Sequence, residues 1–141
     1  MSQYLHIFVK HDHTYTPLLC VSRNTCIYRL FQDSVPYEKI TMITPTQVSD
    51  AAEFALTRYN ELDRLDAAAT EWMAKVGTWD NTVEEKMEYI HQIQQDMDER
   101  EIEKDEWLAA YYYLTFLSEI EDYLYAGIEC GENVTDADVE D

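Results

Sequence analysis

Residues 44–77 read TPTQVSDAAEFALTRYNELDRLDAAATEWMAKVG, and this stretch decides the fold. Thr44 suits the N-cap of a helix, Pro45 suits the first helical position, and Gln47 completes a capping box. Gly77 suits the left-handed position that often follows a helix. Between these ends, apolar side chains recur every three or four residues, which predicts one long amphipathic helix over residues 45–76. The apolar positions are Val48, Ala52, Ala55, Tyr59, Leu62, Leu65, Ala69, Trp72, Met73 and Val76.

A second helix is predicted after a short turn. Thr82, followed three residues later by Glu85, is another capping-box signature. Residues 107–125 are apolar on most faces of a helix. We therefore predict a second helix over about residues 82–126 that runs antiparallel to the first. Its early apolar stripe consists of Val83, Met87, Ile90, Ile93 and Met97.

The middle of this second helix is a charged stretch, residues 96–106. It contains no Gly or Pro, so nothing in it ends a helix. The sequence leaves two alternatives open. The stretch is either continuous helix in a two-helix hairpin, or a hinge within residues 98–106 that would give a three-helix bundle.

The first 44 residues predict a small antiparallel ββαβ unit. Short runs of β-forming residues predict three strands, and Ile27, Leu30 and Phe31 share one face of a short helix. The expected order is a strand at 3–9, a polar loop at 10–16, a strand at 18–21, a helix after the N-cap candidates 22–25, and a strand at 39–43.

Together these elements predict an α+β protein that is mostly α. Residues 1–44 would form the ββαβ base, packed on a long antiparallel, coiled-coil-like helical hairpin at residues 45–126. Residues 127–141 are acidic and weakly apolar. We predict that they form a disordered tail.

Charge is divided unequally along the chain. The 141 residues contain 10 Lys and Arg against 29 Asp and Glu, a net charge of -19. Residues 1–45 contain four basic and three acidic side chains, whereas residues 46–141 contain six basic and 26 acidic ones. Such a surplus repels nucleic acid and anionic membranes, so we expect no direct contact with either. It favours a basic protein as the partner.

The sequence also bears on the cellular compartment. No stretch approaches 18 consecutive apolar residues, and the first residues lack the pattern of a secretory signal. Cys20, Cys26 and Cys130 are an odd number of cysteines without zinc-type spacing, which favours reduced thiols. We expect a cytoplasmic protein, in the cytoplasm of a bacterial host if the chain is phage-encoded.

Candidate metal ligands and catalytic motifs are few. His11 and His13, with His6 nearby, form the one group of metal-ligand type, and a closed zinc site needs about four ligands that no spacing here supplies. Whether these histidines have a role stays open. The chain lacks G-x-S-x-G, H-E-x-x-H and a Gly-rich phosphate loop. We therefore predict a protein without metal or other cofactor that binds and is not an enzyme.

Seven carboxylates fall within residues 96–106, with only Arg100 and Lys104 as basic residues between them. Carboxylates three or four positions apart on a helix lie about 5–6 Å from each other, a spacing close to that of phosphates along a nucleic-acid strand. Such a row can replace phosphates in a groove lined by Lys and Arg. These candidate partner-binding residues, hereafter the acidic row, are Asp96, Asp98, Glu99, Glu101, Glu103, Asp105 and Glu106.

The leading functional hypothesis is an inhibitor or sequestering protein that engages a basic, nucleic-acid-handling partner. Phages and mobile elements use small acidic proteins in this way against CRISPR or restriction systems. The expectation rests on size and charge, since no family motif is present.

Two alternatives come from other parts of the chain. The first is a structural or assembly adaptor that forms a homodimer through the hairpin. Successive tyrosines on a helix point about 100° apart, so they cannot all face one element, and at least one is expected at an interface. The candidate interface residues are Trp107, Tyr111, Tyr112 and Tyr113. The second alternative is a small-ligand or nucleotide-binding protein that uses Arg23, Arg29 and Lys39 of the N-terminal unit.

Overall fold

A computed structural model describes residues 3–37, 39–120, 123–129 and 139–140. It confirms an α+β fold with a small antiparallel sheet and two long packed helices. Along this part of the chain the elements are β1 (Tyr4–His11), β2 (Thr14–Ser22), α1 (Cys26–Phe31), β3 (Ile40–Ile43), α2 (Pro45–Gly77), α3 (Val83–Ser118), β4 (Leu124–Glu129) and β5 (Val139–Glu140).

The strands form one sheet in the order β2-β1-β4-β3-β5. The first four strands pair antiparallel, and the two-residue β5 lies parallel to β3. Strand β4 follows both long helices in the chain, yet it lies between β1 and β3. The central pairings of the sheet therefore join residues far apart in sequence.

Strand β4 corrects the predicted ends of the hairpin and the tail. Helix α3 ends at Ser118, not near residue 126, and residues 127–129 belong to a strand. Tyr123 is 68 % exposed whereas Leu124 and Ala126 are 4 % and 0 % exposed, an alternation with the period of a strand. The predicted disorder is also wrong at β5, and for residues 130–138 and 141 it lies outside the described residues.

The hairpin of β1 and β2 is tighter than predicted. The two strands pair from Tyr4 opposite Ser22 to His11 opposite Thr14. Residues 12–13 alone connect them, in place of the predicted loop at 10–16. Asp12 has a φ of 54°, a left-handed conformation that Asp tolerates better than most residues. The first residues of β2 were predicted as loop because their side chains are mostly polar. An edge strand can carry polar side chains, since it need not bury both of its faces.

Helix α2 begins as predicted. The backbone N–H of Thr44 donates to Oε1 of Gln47 at 2.7 Å, and the N–H of Gln47 donates to Oγ1 of Thr44 at 3.1 Å. This reciprocal pair is the predicted capping box. The predicted left-handed cap at Gly77 is wrong, because Gly77 is the last residue of α2 and does not have a positive φ.

Helix α3 is continuous through the charged stretch, so of the two alternatives for residues 98–106 the unbroken helix is found. Its start is capped by Thr82, whose Oγ1 accepts the N–H of Glu85 at 3.2 Å. At its end, the N–H of Ile120 donates to the carbonyl of Leu117 at 3.2 Å, a three-residue turn that closes the helix.

The chain divides into two compact units, residues 1–53 with 110–141, and residues 54–109. The limits fall inside α2 and α3, whereas the predicted boundaries lie at residues 44/45 and 126/127. The second unit, which contains the residues of the acidic row, is called the hairpin unit below.

The first unit has a core between one face of the sheet and the adjoining helix segments. Leu5 lies opposite Ile128 and Ile7 opposite Ala126, so these side chains share one face. The helices contribute Val48 from the start of α2 and Leu114 and Leu117 from the end of α3, all three 0 % exposed. Burial of apolar area on this face supplies the main favourable free energy of the unit.

Gly127 allows β3 and β4 to approach closely. A Cβ at this position would lie 2.9 Å from the carbonyl oxygen of Lys39 and 3.3 Å from Cγ1 of Ile40. We expect Gly127→Ala to lower the free energy of unfolding by about 1–3 kcal/mol, since a backbone atom must move. Urea denaturation followed by circular dichroism measures this change.

Gly77→Ala is the matched control, because nothing lies within 4 Å of a Cβ built there. We expect it to raise stability by about 0.5–1 kcal/mol through better helix propensity. Equal losses for the two substitutions would show that the close approach at Gly127 is not the cause.

Candidate functional site

The hairpin unit holds its two helices together with few buried apolar side chains. Within residues 54–109, all of which the structure describes, the buried hydrophobic residues are Ala55, Leu62, Val76 and Trp107. Aromatic edges add contacts near both ends: Phe54 meets Trp107 with ring centroids 5.9 Å apart, and Trp79 lies 5.6 Å from Trp72 and 5.4 Å from Tyr89. Between these aromatic contacts, ion pairs also join the two helices.

The central ion pairs join α3 to α2. Nε of Arg100 donates to Oδ1 of Asp66 at 2.8 Å. Nζ of Lys104 donates to Oδ1 of Asp63 at 2.9 Å and to Oδ2 of Asp66 at 3.0 Å. The ammonium also lies 5.6 Å from the ring centroid of Tyr59. Asp66 therefore binds two cations and is the centre of this network.

The network shifts the pKa values of Asp66 and Lys104. Burial by itself would raise the pKa of Asp66, but hydrogen bonds and positive charge from Arg100 and Lys104 together outweigh it and lower the pKa. Hydrogen bonds to Asp63 and Asp66 raise the pKa of Lys104. Both shifts favour the charged forms of Asp66 and Lys104, so the contact between these two side chains is attractive.

The orientation of Arg100 and Lys104 divides the acidic row. Two of its members accept hydrogen bonds within α3: Asp96, which is exposed, accepts from Nε2 of Gln92 at 3.1 Å, and Glu103 accepts from Nε1 of Trp107 at 3.2 Å. Glu106 is half-buried. The other four are exposed, and within the described residues none of them forms an ion pair. These outer carboxylates are Asp98, Glu99, Glu101 and Asp105.

Basic side chains of the hairpin unit are engaged elsewhere. Arg58 pairs with Glu61 at 2.7 Å, and Lys86 donates to the carbonyl of Gly77 at 3.1 Å. Arg64 donates to the carbonyl of Asn60, and Lys75 lies over the ring of Trp72. Together with Arg100 and Lys104, these are the six basic residues of the unit. Within the described residues, the outer carboxylates thus have no ion pair with any of these six side chains.

The predicted dimer-interface residues have different environments. Trp107 is 5 % exposed, and the hydroxyl of Tyr113 donates to the carbonyl of Leu18, with burial raising the pKa of Tyr113. Tyr111 is half-buried. Tyr112 is 63 % exposed, so it is the member of this group best placed to meet a second molecule.

The histidines do not converge on a metal site. His11 and His13 are exposed at the turn between β1 and β2, while His6 lies within β1 and stacks on Phe8 with ring centroids 5.8 Å apart. Burial lowers the pKa of His6, and its Nε2 has no hydrogen-bond partner. In the described part of the chain, no group of three or more His, Cys, Asp or Glu side chains could hold a metal ion.

Cys20, Cys26 and the basic candidates of the N-terminal unit belong to the first compact unit, whereas the acidic row belongs to the hairpin unit. Cys20 is exposed and Cys26 is buried, and Cys130 lies outside the described residues. Among the basic candidates, Arg29 donates to Sγ of Cys26 at 3.2 Å. Arg23 and Lys39 are exposed, one after β2 and one before β3.

Comparison with protein-family models, with curated proteins and with solved structures finds no match for this chain. Within the described residues, no helix is both long enough and apolar enough to cross a membrane.

The sequence prediction missed Asp63 and Asp66 as partners of the charged stretch. A signal was present, because Arg100 and Lys104 are four residues apart and in phase with Ile93, which lies on the predicted apolar stripe of the second helix. Residues in phase with that stripe face the partner helix, whatever their polarity.

We expect Asp66→Asn to lower the free energy of unfolding by about 1–3 kcal/mol at pH 7, since two cations lose a charged acceptor. The folded-state pKa of Asp66 is lowered, so its contribution is present above the unfolded pKa of about 3.9 and is lost as the pH falls. The difference between variant and wild type should therefore narrow from pH 5 toward pH 2. Urea titrations at several pH values measure it.

Asp63→Asn serves as the control. The Asp63 side chain is 60 % exposed and contacts Lys104 alone in this network. We expect a loss below about 1 kcal/mol, as for other exposed pairs. A larger loss for Asp63→Asn than for Asp66→Asn would contradict the central role of Asp66.

Proposed function

We propose that this protein is a non-catalytic inhibitor or sequestering protein whose hairpin unit engages a basic, nucleic-acid-handling partner. The acidic row of α3 would occupy the partner's phosphate-binding groove. Cytoplasmic action against a host defence nuclease, as in phage or mobile-element proteins that block CRISPR or restriction systems, is the setting this chemistry fits.

The observation that carries the proposal is the separation of charges on α3. Arg100 and Lys104 bind Asp66 at 2.8 and 3.0 Å, whereas Asp98, Glu99, Glu101 and Asp105 stay exposed. A helix that merely needed solubility would be more stable if basic residues alternated with these carboxylates, because like charges three or four positions apart repel. A row of fixed carboxylates on a rigid helix can instead make charge-assisted hydrogen bonds to Lys and Arg.

Charge neutralisation tests this proposal. A variant with Asp98→Asn, Glu99→Gln, Glu101→Gln and Asp105→Asn should fail to capture a nucleic-acid-binding protein that the tagged wild type retains from a bacterial lysate. Duplex DNA should compete with the wild-type complex. The affinity should fall about tenfold or more between 50 and 200 mM salt, since the contacts are ionic.

The matched control removes the same number of charges elsewhere on the two helices, at Asp50, Glu53, Glu71 and Glu88, all of which are exposed. It should keep the partner. If both variants lose the partner equally, net charge rather than the acidic row is responsible. If neither variant loses it, the proposed site is wrong.

A homodimeric assembly adaptor is the second candidate. It is favoured by Tyr112 and Phe116, which lie four residues apart on α3 and are 63 % and 55 % exposed. Residues at this spacing share one face of a helix. Sedimentation equilibrium of wild type and of Tyr112→Glu decides it: a wild-type dimer that the substitution dissociates supports the adaptor, and a monomeric wild type excludes it.

A further inference from the structure

One side of the hairpin unit carries an apolar groove. It is an open depression with a volume of about 340 Å³, lined by Leu65, Ala68, Ala69 and Trp72 on α2 and by Ile93 on α3. Leu65 is 52 % exposed and Trp72 is 48 % exposed. Large apolar side chains left open together in this way commonly mark a binding site.

The residues that line the groove span Leu65–Trp72 on α2. Trp72, at one end of this span, contacts Trp79, which in turn contacts Tyr89. From residue 65 to residue 72, α2 rises about 10 Å. This length accommodates about two turns of a helix packed alongside α2 and α3.

The rim of the groove on α3 is acidic. Asp96 lines the groove, and Glu85 and Glu103 lie eleven residues before it and seven residues after it, which is close to whole helical turns. These three carboxylates therefore follow the same side of α3, and Glu103 also lies 3.9 Å from the guanidinium of Arg58. Arg100 also borders the groove, but its guanidinium binds Asp66 at 2.8 Å.

The charge decides which occupant fits. The hairpin unit contains 15 acidic and six basic side chains, and the basic ones already have partners within the unit. A second copy would bring the same negative charge against this rim and would be repelled. A cationic helix with one apolar stripe would be attracted by the rim and would cover Leu65 and Trp72.

We propose that this groove is a docking site for a basic amphipathic helix of a partner protein. The site is distinct from the outer carboxylates and does not depend on the function proposed above. A helix that binds here must carry an apolar stripe together with Lys or Arg at matching positions. A partner of the acidic row, in contrast, needs only the cations of a phosphate-binding groove.

The test uses a synthetic 18-residue helical peptide of Leu and Lys, with Leu at positions that form one stripe, and a scrambled peptide of the same composition without the stripe. Fluorescence anisotropy of the labelled peptides measures the affinity for the full chain. The striped peptide should bind at least tenfold more tightly than the scrambled one. Equal affinities for the two peptides would show that charge alone drives binding and would overturn the proposal.

Two protein variants locate the site. Leu65→Glu should weaken the striped peptide about tenfold or more through lost apolar contact, although it adds a negative charge. Ile102→Glu makes the same change at a residue that is 74 % exposed and does not line the groove, and it should alter the affinity less than twofold. Circular dichroism checks that both variants fold.

Equal effects of the two variants on the affinity for the striped peptide would overturn the proposal. Self-association of the wild type that Leu65→Glu abolishes would also overturn it, since a second copy of the chain would then be the occupant. The variant that neutralises the outer carboxylates should retain the preference for the striped peptide. The peptide experiment therefore tests the groove proposal independently of the proposal that the acidic row binds a partner.

Discussion

The ion pairs of Asp66 with Arg100 and Lys104 are the interaction on which the hairpin unit depends. Leu62, Val76 and Trp107 are its large fully buried hydrophobic residues, so specific polar contacts add to apolar burial in setting the register of two long helices. Asp66 joins both cations of the charged stretch at 2.8 and 3.0 Å and thereby fixes which face of α3 meets α2. The same contacts remove the only basic side chains of residues 96–106 from the solvent side.

Two surfaces result from this arrangement. The outer carboxylates of α3 are left without cations, and the groove along the side of the helices is left with an acidic rim and an open apolar floor that includes Leu65 and Trp72. Both surfaces are complementary to basic proteins, one through charge alone and one through charge with apolar contact. The proposed inhibitor role and the proposed helix-docking site therefore share one electrostatic cause.

Sequence periodicity predicted α2, the continuous part of α3 and the first strand, because these elements bury one regular face. It failed for residues 119–120 and 123–126, where the apolar pattern of a helix continued in the sequence but the strand period begins at Tyr123 and Leu124. A central strand such as β4 is stabilised by pairing with residues far away in sequence, and local sequence periodicity does not report such pairing. The acidic row could be identified from the sequence. Which of its carboxylates stay exposed without an ion pair could not, since the partners of Arg100 and Lys104 lie on the other helix.

The central claim is that the outer carboxylates carry charge that folding does not need. The most direct measurement is the free energy of unfolding, in low salt, of the variant in which Asp98, Glu99, Glu101 and Asp105 are all neutralised. Relief of like-charge pairs three or four positions apart predicts a variant more stable than wild type by about 1 kcal/mol, with the gain reduced in 1 M salt. A variant less stable than wild type would show that these carboxylates hold the hairpin together and would contradict the account.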